Sequence, residues 1–166
     1  MKLRKIILSS LLLSIGLVLH QLVPPILFGM KPDFLLSMMF IAIFICDDYK
    51  LSLVIGLAAG ILTAATTTFP AGQLPNIIDK IITSNLVFLL FRVFKFNNQL
   101  KICMVSFIGT IISGTVFLGT AYIIVGLPGP FLVLILGVVI PATAFNTAGS
   151  IVLYNAANTA LKKIIY

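Results

Sequence analysis

The segment FPAGQLPNIIDK, residues 69–80, sets Gln73, Asn76, Asp79 and Lys80 around two prolines and a glycine, just where a new apolar stretch begins. Further up the chain Lys31 and Asp33 flank Pro32, and His20 lies beside Gln21 late in the first apolar run. Two ammonium groups and two carboxylates in so greasy a chain can serve one of two ends. They can receive a ligand of complementary charge, such as an amino acid, with its carboxylate on a lysine and its ammonium on an aspartate. Alternatively they are structural ion pairs, Lys31 with Asp79 and Asp33 with Lys80, that pin loops to the rest of the protein. Both readings hold if one pair is structural. Asn146 in PATAFNT is a further buried-amide candidate, since an amide in apolar surroundings must find a partner.

Catalytic chemistry finds little footing. The sequence has no GxxxxGK[ST] phosphate loop and no HExxH or GxSxG motif, and no paired carboxylates suited to acid–base work. Cys46 and Cys103 stand far apart, with neither metal-ligand nor redox spacing. The residues therefore predict a non-enzyme with no metal and no cofactor. A net charge of +7 raises the question of nucleic acid. The basic residues, however, lie in short clusters between apolar runs instead of one patch interleaved with aromatics, which excludes nucleic acid as the expected partner.

The elements that must position these groups are set by composition. Of the residues, 60% are hydrophobic and only 9% charged, with a mean hydropathy of +1.21, against roughly 25% charged in a soluble domain. Such a chain cannot clothe itself in polar surface, so its solvent is the lipid bilayer. Apolar runs cover residues 6–28, 33–46, 51–69, 77–94, 101–125 and 130–157. Five are long enough to span, given the need for about 20 residues. The second, DFLLSMMFIAIFIC, is short and could instead be re-entrant. The basic head and apolar middle of the first run resemble a signal peptide, but the apolar sequence simply continues, and we read it as a retained first span.

Basic residues decide the count. With six spans and a cytoplasmic N-terminus, Lys2, Arg4, Lys5, Lys50, Arg92, Lys95, Lys101, Lys162 and Lys163 fall inside and only Lys31 and Lys80 outside. Were the second run not to cross, four would lie inside and seven outside. The positive-inside rule thus predicts an all-α integral membrane protein, a single domain over residues 1–166 with six transmembrane helices and both termini cytoplasmic. The candidate groups then gather at the outer face. Intramembrane charge costs about 2.5–3.5 kcal/mol per residue at mid-helix and less near the interface, so it is paired or serves a ligand. On the fourth helix Asn76, Asp79 and Thr83 share a face, whereas Asp79 and Lys80 are about 100° apart and need not pair with each other.

Small residues predict where helices meet closely: Gly56, Gly60 and Ala64 on the third span, Gly109, Ser113 and Gly114 on the fifth, Ser10 and Ser14 on the first. Pro141 in the last span lacks a donor and crowds the carbonyl of Gly137, which predicts a kink. The inner halves of the spans hold no carboxylate or histidine to relay protons, so any transport would draw its energy from another subunit.

Five segments, LHQLVPP (19–25), GMKPDFLLSMMF (29–40), TAATTTFPAGQLPNIIDK (63–80), IGTIISGTVFL (108–118) and VGLPGPF (125–131), resemble those of the small bacterial tryptophan-transport proteins. That family is similar to the substrate-binding S components of energy-coupling factor (ECF) transporters. The resemblance implies a six-helix S-component fold in the bacterial cell membrane. It also implies a pocket near the outer face for L-tryptophan, and docking onto an ECF module of a membrane coupling subunit and two ATPases. S components dock through small residues on the first helix, a place held here by Ser10 and Ser14. An indole ligand would need aromatic and apolar walls, for which Phe69, Met30, Phe28 and Phe34 are nearest, and an acceptor for its N–H in Gln73 or Asn146. The expected substrate-binding set is therefore His20, Met30, Lys31, Asp33, Phe69, Gln73, Asn76, Asp79, Lys80 and Asn146. The alternative is a small structural or assembly protein of the cell envelope that binds no solute.

Overall fold

The computed structural model describes residues 2–24 and 31–165, and they are all-α. The helices are α1 (Lys2–Leu22), α2 (Phe34–Cys46), α3 (Tyr49–Thr66), α4 (Gln73–Val93) and α5 (Asn98–Ile124). A last continuous helical run follows, made of α6 (Phe131–Leu134), a π-helical turn (Ile135–Val139) and α7 (Ile140–Ile165). Five stretches are long and apolar enough to cross a membrane: Leu3–Leu22, Tyr49–Thr66, Gln73–Val93, Asn98–Ile124 and Phe131–Leu161. Leucines, isoleucines and valines such as Leu22, Ile123, Leu132 and Val152 point outward from these helices, as expected where the surrounding medium is hydrocarbon. The chain is a multi-pass membrane protein.

Helix α2 is the exception that organises the rest. Its 13 residues span only about 20 Å, short of the roughly 30 Å hydrocarbon core. Every residue from Leu35 to Ile43 is buried, and α2 touches α1, α3, α4, α5 and α7. A helix that is apolar all round belongs in an interior, and this one forms the axis of the bundle. Asp33 caps its start by accepting a hydrogen bond from the Leu36 amide at 3.0 Å. Two adjacent aspartates manage its exit. Asp47 ends α2 in the left-handed region (φ 42°), a conformation short polar side chains tolerate, and Asp48 caps α3 by accepting from the Leu51 amide at 3.0 Å.

The bundle has two ends of different character. At one, the basic end, the start of α1 meets the end of α2, where the Lys5 ammonium donates to the carbonyl of Cys46. Arg92 at the end of α4 pairs with Asp47 here at 3.1 Å. At the other end the last turn of α1, the first of α2, the end of α3 and the start of α4 converge.

The small residues act inside the bundle, as expected. A methyl group at Gly56 would lie 2.1 Å from Ser84 Oγ and 2.9 Å from the Lys80 carbonyl oxygen. One at Gly60 would lie 3.0 Å from Ile77 Cα. Glycine at these positions lets α3 press against the turn of α4 that carries Asp79 and Lys80. On α5, Gly109 makes room for Phe40 and Val87, and Gly114 for Val139. Ser10 and Ser14 are different: both are exposed, and the Ser14 hydroxyl bonds back to the Ser10 carbonyl at 2.9 Å. The disturbance expected from Pro141 takes a specific form. The π-helical turn just before it contains Gly137, and the Ile140 amide reaches back to the Ile135 carbonyl, so the helix widens by a residue ahead of the proline.

Candidate functional site

Lys80 is the hub. Its ammonium lies 2.6 Å from Asp79 Oδ2 and 3.2 Å from Asp33 Oδ2, and donates to Ser113 Oγ at 3.3 Å. Asp79 is held on both oxygens. Thr83, one turn further along α4, donates to Oδ1 at 2.8 Å, while Ser113 on α5 donates to Oδ2 at 2.9 Å. Helices α4 and α5 and the residue that caps α2 therefore meet in one cluster. Asp79 and Lys80 are 1% and 2% exposed, so their charges are supportable only because each is paired and hydrogen-bonded.

Asp33 joins this cluster from the start of α2. Its amide donates to Asn146 Oδ1 on α7 at 2.8 Å, so the buried amide of Asn146 is used to seat the loop ahead of α2. His20 Nδ1 stands 3.4 Å from Asp33 Oδ1, without forming a hydrogen bond. Burial pushes the Asp33 carboxyl up, but the Lys80 ammonium, then His20 and the Leu36 amide, outweigh it and hold the group below its ordinary value. Asp33 is thus a carboxylate at neutral pH. Unlike Asp79, its side chain keeps 21% of its exposure.

That exposure opens into a cavity of about 400 Å³, a size typical of small-ligand pockets. One wall is polar, with His20, Lys31, Asp33, Asn76, Lys80 and Asn146. Thr66, Thr67 and Thr68 at the end of α3 form part of the rim. A second group of lining residues is apolar. Phe69 and Phe117 meet edge to face with ring centroids 5.3 Å apart, and Leu134, Val138 and Val139 from the end of α6 and the π-helical turn complete the group. The Thr110 hydroxyl, also on the cavity wall, is buried without a hydrogen-bond partner among the described residues.

The sequence-predicted residues divide accordingly. His20, Lys31, Asp33, Phe69, Asn76, Asp79, Lys80 and Asn146 gather around one cavity. Gln73 does not: as the first residue of α4 it is exposed and lies outside the lining, one turn before Asn76, where that helix first reaches the cavity. Met30 and Phe28 lie outside the described residues. Phe34 is turned away and packs against Gly149 of α7. Of the two expected ion pairs, Asp33 with Lys80 forms, whereas Lys31 with Asp79 does not, since Asp79 is taken up by Lys80, Thr83 and Ser113. The pair between neighbours in sequence forms despite their angular separation, because the four-carbon lysine stem curls around the helix to reach the adjacent carboxylate. Phe117 and the residues of the π-helical turn were not foreseen. Phe117 follows Ser113 by one turn on the same face of α5, and that spacing could have found it.

An all-α membrane bundle enclosing a charged and aromatic cavity at one end is an integral membrane protein with a candidate small-ligand site. The family described as "Tryptophan transporter TrpP" matches residues 2–162, and the chain belongs to it. It is 51% identical over 166 residues to a "Probable tryptophan transport protein" of Clostridium acetobutylicum, covering 99% of this chain and 97% of the relative. Proteins of the same description from Bacillus subtilis and Clostridium perfringens are 45% and 43% identical. These alignments cover 98% and 95% of this chain and 95% and 93% of the respective relatives. No solved structure matches.

Proposed function

We propose that this protein is the substrate-binding membrane subunit of a tryptophan uptake system, of the ECF S-component type, and that the cavity is its L-tryptophan site. The observation that carries this reading is a single cavity lined by both charged and aromatic side chains. A carboxylate and a lysine on the cavity wall suit the ammonium and carboxylate of an amino acid, and the Phe69–Phe117 pair suits an indole. The names of the three relatives favour tryptophan over other aromatic zwitterions.

The same proposal sets the orientation. Helix α2 completes a sixth crossing through the middle of the bundle, and the basic end faces the cytoplasm with both termini. The cavity then opens outward. Positive charge concentrated at the basic end supports this arrangement. The protein acts by binding and not by catalysis, and it docks on an ECF module of a coupling subunit and two ATPases that supply the energy. Exposure of Ser10 and Ser14 on α1 leaves that small-residue stripe free for such a contact.

The chain contains no tryptophan, which gives a direct test. Purified protein in detergent is titrated with free L-tryptophan under excitation near 295 nm, with tyrosine and histidine as competitors. A saturable change in indole emission, close to one ligand per protein and selective over both competitors, is expected. A flat titration on folded protein would sink the reading and favour a structural role for the buried ion pairs.

A further inference from the structure

The cavity holds two aspartates and two lysines, and their existing partners separate those free to receive a ligand from those already engaged. A lysine ammonium has three N–H donors. Those of Lys80 have three acceptors in reach: Asp79 Oδ2, Asp33 Oδ2 and Ser113 Oγ. Nothing remains for a ligand carboxylate. Asp79 is equally engaged, with Thr83 on one oxygen and Lys80 and Ser113 on the other, and is 1% exposed.

Asp33 is not. A carboxylate offers about four acceptor positions; Asp33 uses one for the Leu36 amide and one for Lys80, while His20 Nδ1 stands 3.4 Å from Oδ1 without forming a hydrogen bond. Its side chain reaches the cavity with 21% exposure. Lys31 lines the same cavity. Of the chain's four acidic residues, Asp33 and Asp79 sit with Lys80, Asp47 pairs with Arg92, and Asp48 caps α3. Among the described residues, no carboxylate pairs with Lys31.

Resting on the reading of the cavity as an amino-acid site, we propose that Asp33 receives the ligand ammonium and Lys31 its carboxylate, while Asp79 and Lys80 position Asp33 without touching the ligand. The site then selects first for a primary amine. Lys80 is the one lysine between two carboxylates, and His20 is the only other basic group beside Asp33 among the described residues, at 3.4 Å; with the imidazole neutral, the pair of carboxylates lacks one cation, which an amine supplies and an acid does not. A ligand stripped of its ammonium would bring its own carboxylate towards Asp33 and the buried Asp79. One stripped of its carboxylate loses only the contact to Lys31.

Displacement of radiolabelled L-tryptophan by tryptamine and by indole-3-propionate tests the assignment, in the full-length protein and in Lys31→Gln and Asp33→Asn variants. Tryptamine is expected to compete at least about tenfold better than indole-3-propionate, the effect of one charge-assisted hydrogen bond. Lys31→Gln is expected to weaken tryptophan about tenfold and to leave tryptamine unchanged. Asp33→Asn retains a side chain able to cap α2 and is expected to remove the preference for the amine. If the unmodified protein binds tryptophan but indole-3-propionate competes as well as tryptamine, the assignment alone is overturned. The same holds if Lys31→Gln weakens tryptamine as much as tryptophan. Failure of the unmodified protein to bind labelled tryptophan at all would overturn the amino-acid site itself, and the assignment with it.

Discussion

The two ends of this bundle each hold an aspartate paired with a basic residue, and the pairs differ in everything but charge. Asp47 and Arg92 meet at 3.1 Å at the basic end with side chains 64% and 58% exposed, and the Arg92 guanidinium also lies 5.2 Å above the Phe88 ring. Water screens such a pair and satisfies whatever it leaves open, so the fold need not provide for it. At the cavity end Asp79 and Lys80 meet at 2.6 Å almost without exposure. There the protein must supply every partner, and it does so from α4, α5 and the loop before α2. A surface ion pair is worth little to stability, whereas a buried one becomes a liability as soon as one partner is lost. A buried cluster is also the kind of rigid support that a binding group such as Asp33 requires.

Breaking the buried end should have the largest effect. Lys80→Met leaves Asp33 and Asp79 facing each other without a cation. It is expected to cost about 3–5 kcal/mol, read as a lowered melting temperature in detergent, together with loss of tryptophan binding. Adding Asp79→Asn to that variant should recover part of the stability, because one of the two stranded charges is removed. If Lys80→Met melts like the unmodified protein, the contrast between the two ends is wrong.

Next in size is Gly56→Ala. Its new methyl would overlap Ser84 Oγ and crowd the Lys80 carbonyl, forcing α3 away from the turn that holds the cluster. Overpacking of this kind costs about 1–3 kcal/mol, and denaturation in mixed micelles would measure it. A neutral outcome would show that the helices can separate without disturbing the charges.

Phe117→Ala sharpens the division between polar and apolar walls. It removes the edge-to-face partner of Phe69, and with it about 0.5–1.5 kcal/mol of aromatic contact. Weaker tryptophan binding, with a melting temperature lowered by only a few degrees, is expected in a parallel titration and melt. An unchanged affinity would place the indole elsewhere. The smallest effect belongs to the exposed end, where Arg92→Ala should shift stability by no more than about 1 kcal/mol and leave binding as it was. A loss comparable to that of Lys80→Met would remove the distinction on which the comparison rests.

Much of this was legible in the chain itself. The scarcity of charge and the length of the apolar runs dictated a membrane bundle of helices, since no other backbone arrangement written in this pattern satisfies its own hydrogen bonds in lipid. The small-residue stripes on α3 and α5 announced close helix contacts, and those contacts are there. Asp33 and Lys80 could be matched in advance because so few ionisable groups were available to pair. Gln73 was misjudged for a local reason: its spacing of three and seven residues puts it on the face of Asn76 and Lys80, but as the first residue of α4 it sits one turn short of the cavity and is exposed.

Tertiary structure alone decided the rest. Asp79 and Lys80 are adjacent in sequence, and helical periodicity points them apart. Only the packing of α5, which brings Ser113 to both groups, makes the curled lysine conformation the one that satisfies every buried charge. The short second apolar run is too brief to cover a bilayer alone, and its place at the axis depends on the longer helices around it. The apolar wall was hidden for the same reason, because Phe117 and the π-helical turn come from the far half of the chain and meet Phe69 only when the bundle closes. Sequence fixes which groups must leave water and which intervals place them on one helix face. The partner each group finds across helices is a long-range contact, and no local periodicity encodes it.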